Sequence, residues 1–214
     1  MRAIVWFRRD LRVHDQPALS AAVRECEEII PLFIFDDPLL SSRQFGSANV
    51  AFMLNCLEDL VKRLQRLKLT FMWRRGDPVE ELARAARELK VEVVYWNRDY
   101  EPAAIERDRR AVHRLAQLGV TTKTYKDHVV FETRDVLSSK GKPLQRYGAY
   151  RRRWWEHWHA SPPRLTTPPN ARLYREDKDS TRLADTQRPR IRSSIGSMER
   201  RGNGRSATPP PIPR

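Results

Sequence analysis

Residues 3–15 read Ala3-Ile4-Val5-Trp6-Phe7-Arg8-Arg9-Asp10-Leu11-Arg12-Val13-His14-Asp15, an apolar run that turns abruptly to charge just ahead of Pro17. Five consecutive apolar residues suit a parallel strand covered on both faces. The charged segment suits a loop. Asp15, followed by Pro17 and Ala18, is a helix start signal, with the Asp15 carboxylate as the expected cap of free backbone N–H groups and Pro17 tolerated in the first turn. Strand, charged loop and helix in that order make the first unit of an α/β fold.

The unit recurs along the chain. Further short apolar runs at residues 29–35, 69–73, 91–96 and 120–125 alternate with segments of helical period. Pro31 cannot donate to a ladder, so the second strand is expected near an edge or broken at that point. The second helix is expected over 48–67, with Leu57, Leu60, Val61 and Leu64 on its inner face. Asp77 and Pro78 start a third helix, which turns Leu82, Ala85, Ala86 and Leu89 inward. The fourth, over 102–118, repeats Ile105, Val112, Leu115 and Leu118, and Gly119 supplies a left-handed stop. The pattern predicts a Rossmann-like, doubly wound, parallel five-stranded sheet with flanking helices. A turn at 138–141 and a last helix near 150–159 close a domain expected to span 1–160.

From residue 161 to residue 214 the composition shifts to Pro, Thr, Arg, Ser and Gly, which reads as a linker and a disordered basic tail. Residues 188–214 hold seven arginines against the single acid Glu199, and this stretch is expected to arise from a shifted reading frame or a premature end. The whole chain of 214 residues carries a net charge of +14. Such a balance favours polyanionic partners, although the charge outside the tail lies on helices that also carry acids and reads mainly as solvated faces. Cys26 and Cys56 form no C-x-x-C pair and are expected to be buried, reduced thiols. No apolar run is long enough to span a bilayer, so no membrane partner is expected and a cytoplasmic location is.

In a sheet of this kind ligands bind beyond the carboxyl ends of the strands, in the loops after strands one, two and four. The first loop lacks the glycines of a dinucleotide fingerprint, and the chain has no G-K-[ST], which excludes NAD-type and P-loop sites. Arg8, Arg9 and Arg12 with Asp10 and Asp15 are expected to form a salt-bridged scaffold rather than an anion grip. Trp6, Trp73 and Trp96 read as core. Trp154, Trp155 and Trp158 beside Arg151, Arg152 and Arg153 are similar to a base-stacking surface, with packing against the domain the leading expectation.

The run from Val5 through Arg8, Asp10, Arg12 and Asp15 to Leu19 resembles the opening signature of the photolyase and cryptochrome family. The resemblance continues at Phe33-Ile34-Phe35-Asp36, at Gly76-Asp77-Pro78, through residues 94–102 with Arg107-Asp108, and at Gly141-Lys142-Pro143 with Tyr147-Gly148. It implies a two-part protein, in which an α/β domain holds an antenna chromophore and a helical domain holds FAD and the DNA lesion. This chain then corresponds to the light-harvesting domain of a deoxyribodipyrimidine photo-lyase-like DNA repair protein. It is expected to be truncated and without repair activity alone. No catalytic residue and no metal ligand is carried over, and DNA is expected to meet only the helical domain or, weakly, the basic tail.

By resemblance, Asp99 and Glu101 match positions that contact a deazaflavin, with Phe35 and Asp36 across the crevice. The alternative is that Asp99 and Glu101 pair with Arg98 or Arg107 and hold no pigment. Ala103 and Ala104 replace the Asn-Glu pair of folate-binding relatives, which disfavours folate. Asn49 stands where deazaflavin-type relatives often carry arginine, which weakens the deazaflavin reading without removing it. Two rival readings remain: a basic α/β nucleic-acid-binding module, and a small flavin- or nucleotide-binding electron-transfer protein.

Overall fold

The computed structural model describes residues 1–41, 46–163 and 165–166. Five strands, β1 (Arg2–Phe7), β2 (Glu28–Phe35), β3 (Met72–Arg75), β4 (Val93–Asn97) and β5 (Thr121–Tyr125), form one sheet in the order β3-β2-β1-β4-β5. All four pairings are parallel. The helices are α1 (Pro17–Glu25), the short α2 (Asp37–Leu40), α3 (Ser47–Arg66), α4 (Pro78–Glu88), α5 (Pro102–Ala116) and α6 (Tyr147–Ala160). The expected tail lies outside the described residues, apart from its first few positions.

Successive side chains of a strand point to opposite faces, and β1 is apolar on both. Ala3, Val5 and Phe7 pack in one core with Leu19 of α1 and Leu57, Leu60 and Leu64 of α3. Ile4 and Trp6 pack in the other with Leu82 and Ala86 of α4 and Ala111 and Leu115 of α5. The doubly wound architecture thus follows from an uninterrupted apolar strand that must be covered twice. Trp6 and Trp96 are core, as expected, while Trp73 is only partly buried.

The structure corrects several expectations. Of the two alternatives for β2 the near-edge one holds, since the strand lies beside the edge strand β3 and is unbroken at Pro31, which pairs in register with Val5. Pairing with β3 starts only at Leu32 with Met72, so on that side the strand is locally an edge where proline sits. On α5 the inward residues are Ala104, Ala111 and Leu115, and Ile105 and Val112 are exposed. Leu115 is buried as expected, while at the other two positions the inward residue is the one before, about 100° round the helix. Val61 and Cys56 are partly exposed, while Cys26 is buried.

Strands three and four begin later than the apolar runs indicated because three helices end on the same capping motif. The N–H of Leu69 donates to the Leu64 carbonyl and that of Lys68 to Gln65; Val91 and Lys90 repeat this on Ala86 and Arg87, and Val120 and Gly119 on Leu115 and Ala116. Lys68 (φ 57°), Lys90 (φ 51°) and Gly119 (φ 73°) are all left-handed. This is the Schellman pattern, whose apolar residue just past the cap packs back against the helix. Leu69, Val91 and Val120 fill that role and are buried.

Candidate functional site

The β1 to α1 loop is organised around Asp10, which is buried. Its carboxylate accepts from the Arg8 N–H at 3.0 Å, from Gln16 Nε2 at 2.7 Å and from Asn97 Nδ2 at 2.7 Å. Neither amide is free to flip. Gln16 Oε1 already accepts from the Leu19 N–H at 2.8 Å, and Asn97 Oδ1 from the Ala18 N–H at 3.0 Å. One carboxylate therefore ties the amino terminus of α1 to the carboxyl end of β4. Burial pushes the Asp10 carboxyl upward, against the N–H and the charge of Arg8.

Gln16, not Asp15, caps α1. Asp15 is left-handed at φ 48°, and its carboxylate accepts from the N–H and Oγ1 of Thr166, at 2.8 and 3.1 Å. The cap moves because Asp15 is turned away by that backbone conformation, whereas Gln16 is extended and can reach the first turn.

The loop arginines find acids on other elements, not Asp10 and Asp15 as expected. Arg8 pairs with Asp108 of α5, donates to the Asn97 carbonyl and lies 4.9 Å above the Trp6 ring. Arg12 pairs with Asp127 and donates to the Asp15 carbonyl. Arg9 makes a two-pronged contact with Glu101 at 2.7 and 2.8 Å, and its Nε lies 3.8 Å from Asp99. Each loop arginine is held in an ion pair, with long-range partners that a loop read alone does not reveal.

Arg98 pairs instead with Glu132, which also accepts from Tyr100, and Arg107 pairs with Asp108, so neither meets Asp99 or Glu101. Asp99 is buried and accepts from the Glu101 N–H. Burial works to raise its carboxyl, yet the Glu101 N–H and the Arg9 charge outweigh it and hold the group below the usual carboxylate range. The site thus keeps an ionised acceptor under a partly exposed arginine.

Across β1, Phe35 ends β2, where it is buried edge-on against Phe33 and Trp73. Asp36 caps α2 by accepting from the Leu39 N–H. Asn49 is exposed in the first turn of α3. Because β2 and β4 both flank β1, their carboxyl ends stand two strand spacings apart, about 10 Å. The sheet order reverses beside β1, which makes this the switch-point crevice where open α/β sheets take ligands. No hydrogen bond links the Phe35 and Asp36 pair to Asp99 and Glu101 among the described residues, and β1 lies between the strands that carry them.

The model of the family described as DNA photolyase matches residues 3–170. The chain belongs to the DNA photolyase family. A deoxyribodipyrimidine photo-lyase from Synechococcus sp. is 33% identical over 159 residues, covering 74% of this chain and 32% of that protein. The photolyase of Sulfolobus tokodaii, whose structure holds two FAD molecules, is 32% identical with a TM-score of 0.57, over 63% of this chain and 32% of that one. A class III photolyase from Agrobacterium tumefaciens superposes with a TM-score of 0.68 at 26% identity, over 84% of this chain and 37% of that one. This photolyase-family chain spans about a third of the length of these relatives and corresponds to the amino-terminal α/β domain.

Asp127 and Glu132 were not singled out in the sequence, and Asn97 and Asp108 entered it only within the resembling motifs, without the bonds that they make here. Asn97 had left a trace, since a polar residue that closes an apolar strand is itself a sign of a constrained end.

Proposed function

We propose that this domain gathers light for a photolyase-type DNA repair protein by holding an antenna pigment, a deazaflavin or a flavin, in the crevice at the carboxyl ends of β1, β2 and β4. The observation that carries the reading is Asp99, a buried carboxylate kept ionised at the switch point and facing an exposed arginine. Such a group accepts hydrogen bonds from ligand hydroxyls or imides, and Arg9 can exchange Glu101 for a polar edge of the ligand. Phe35 and Asp36 supply the opposite wall. A bound pigment supplies absorption and passes its excitation to an acceptor; the residues named here bind and orient it.

Further support comes from the Sulfolobus tokodaii photolyase, whose reported structure implicates a light-harvesting cofactor in that protein. Ala103 and Ala104 open α5 without polar side chains, which disfavours a folate. By family resemblance, FAD chemistry and the DNA lesion belong to a helical domain, and residues 1–160 do not perform them. Absorption spectra of the purified chain, titrated separately with a deazaflavin, a flavin and a folate, test the reading. Saturable shifts with either of the first two are expected. Saturation by folate alone would overturn it.

A further inference from the structure

α6 differs from every other long helix of the domain. None of its residues is buried, whereas α1, α3, α4 and α5 each bury a stripe. Trp154 and Trp158 are partly buried, and packing accounts for them but not for the exposed Trp155. Tyr147, Arg151, Trp155 and His159 recur at every fourth position and so form one ridge, ~6 Å apart along the axis. Tyr147 is 77% exposed and Trp155 is 44% exposed. His159 stacks on Trp155 at 5.7 Å with planes 26° apart. Beneath the ridge Trp154 stacks on Trp158 at 5.3 Å and meets Phe131 edge-on, so the exposed rings stand on an aromatic base.

The charge of the domain is concentrated at the same place. Residues 138–161 carry six lysines and arginines against the single acid Glu156, a net +5 of the +8 found in residues 1–166. Elsewhere most arginines meet acids, as Arg63 does Asp59, Arg109 does Glu106 and Arg114 does Glu80, although Arg24, Arg66, Arg87 and Arg134 have no ion pair among the described residues. On α6 only Arg153 is paired, with Glu156, and Arg151 and Arg152 have no ion pair among the described residues. A hollow of about 760 Å³ opens beside the end of the helix, with Lys126, Arg134 and His157 in its lining together with the single acid Asp135.

We propose that the α6 ridge is a docking surface for single-stranded DNA. Exposed flat rings separated by an unpaired arginine offer a stacking platform to unpaired bases, and the surrounding cations attract the phosphates. A duplex keeps its bases stacked and cannot use the rings, so single strands are preferred. DNA is the strand chosen because the family acts on DNA; the surface is separate from the strand-end crevice and does not depend on what the crevice holds.

The test uses the full chain and a fluorescent thymidine oligomer, followed by anisotropy over a range of salt, with a uridine oligomer and a DNA duplex as parallel arms. Tryptophan emission should be quenched on binding, and the thymidine oligomer should bind more tightly than either alternative. Trp155→Ala should weaken binding by roughly tenfold with the salt slope unchanged. Trp155→Phe should keep most of the affinity. Replacing both Arg151 and Arg152 by Gln should reduce the salt slope by about 1.4, that is ~0.7 per phosphate contact. Circular dichroism verifies that each variant is folded, and the quenching measurement needs no variant. Unquenched emission at saturation overturns the proposal, as does equal binding by all variants, which assigns the affinity to the arginines of residues 188–214. Tighter binding to uridine or duplex overturns it too. So does DNA binding left intact in Trp155→Ala.

Discussion

Asp10 shows how one residue fixes the geometry of a signature loop. Its three donors can be satisfied only by an acceptor, because Gln16 and Asn97 already spend their oxygens on the amino terminus of α1. Asp10→Asn would set an NH₂ group against a donor whichever way it turns, either the Arg8 N–H or the amides of Gln16 and Asn97, at a cost of roughly 1–3 kcal/mol. Urea denaturation at neutral pH should detect it. Tyr95 carries a second consequence. Burial and its hydrogen bonds with Cys26 and Glu25 push its phenol well above the ordinary value of 10.0. The folded chain therefore keeps a proton that the unfolded chain releases near pH 10. The stability this contributes is full below that pH and falls as pH rises above it. Urea midpoints should decline between pH 9 and 11, and Tyr95→Phe should flatten the decline while losing about 1 kcal/mol at pH 8 through its missing hydrogen bond. In the sequence, the identity of the loop was legible and its bonding was not. Asp108, Asp127 and Glu101 lie some 90 or more residues from the arginines they neutralise.

The element scale explains the displaced strand boundaries. An apolar residue after a helix reads as the first residue of a strand, yet Leu69 and Val91 belong to the helix caps before them. Gly119 was recognisable as a left-handed stop, whereas Lys68 and Lys90 perform the same turn with a side chain that disfavours it. Relief of that conformation should make Lys90→Gly more stable by about 0.5–1 kcal/mol, and Gly119→Ala should be less stable by about 1 kcal/mol. Thermal melts of the two variants, moving in opposite directions, check the shared motif. The face of α5 was misread for a related reason. Ile105 and Val112 satisfy a helical period, but small Ala104 and Ala111 face the sheet and leave room for Asp108 to meet Arg8.

At the scale of the molecule, the alternation of five strands with covering helices was fully legible, since a strand apolar on both faces admits few architectures. The crevice was legible only as a location, and its walls rested on resemblance. Residues 1–160 are proposed to gather light without repairing DNA. The purified chain, supplied with FAD and a reductant, is therefore expected to remove no pyrimidine dimers from irradiated DNA in blue light beyond a dark control. Loss of dimers with stoichiometric FAD would contradict that expectation. No described helix is long and apolar enough to cross a membrane.

The claim that the strand-end crevice holds the pigment is tested most directly by the affinity of a deazaflavin for three chains: the unaltered protein, Asp99→Asn, and Lys90→Gly as a control at the opposite end of β4. Saturable binding near one pigment per chain is expected for the first and third, with at least a tenfold loss in Asp99→Asn, the equivalent of about 1.4 kcal/mol. Equal affinity in all three chains, or no saturable binding in any, would contradict it.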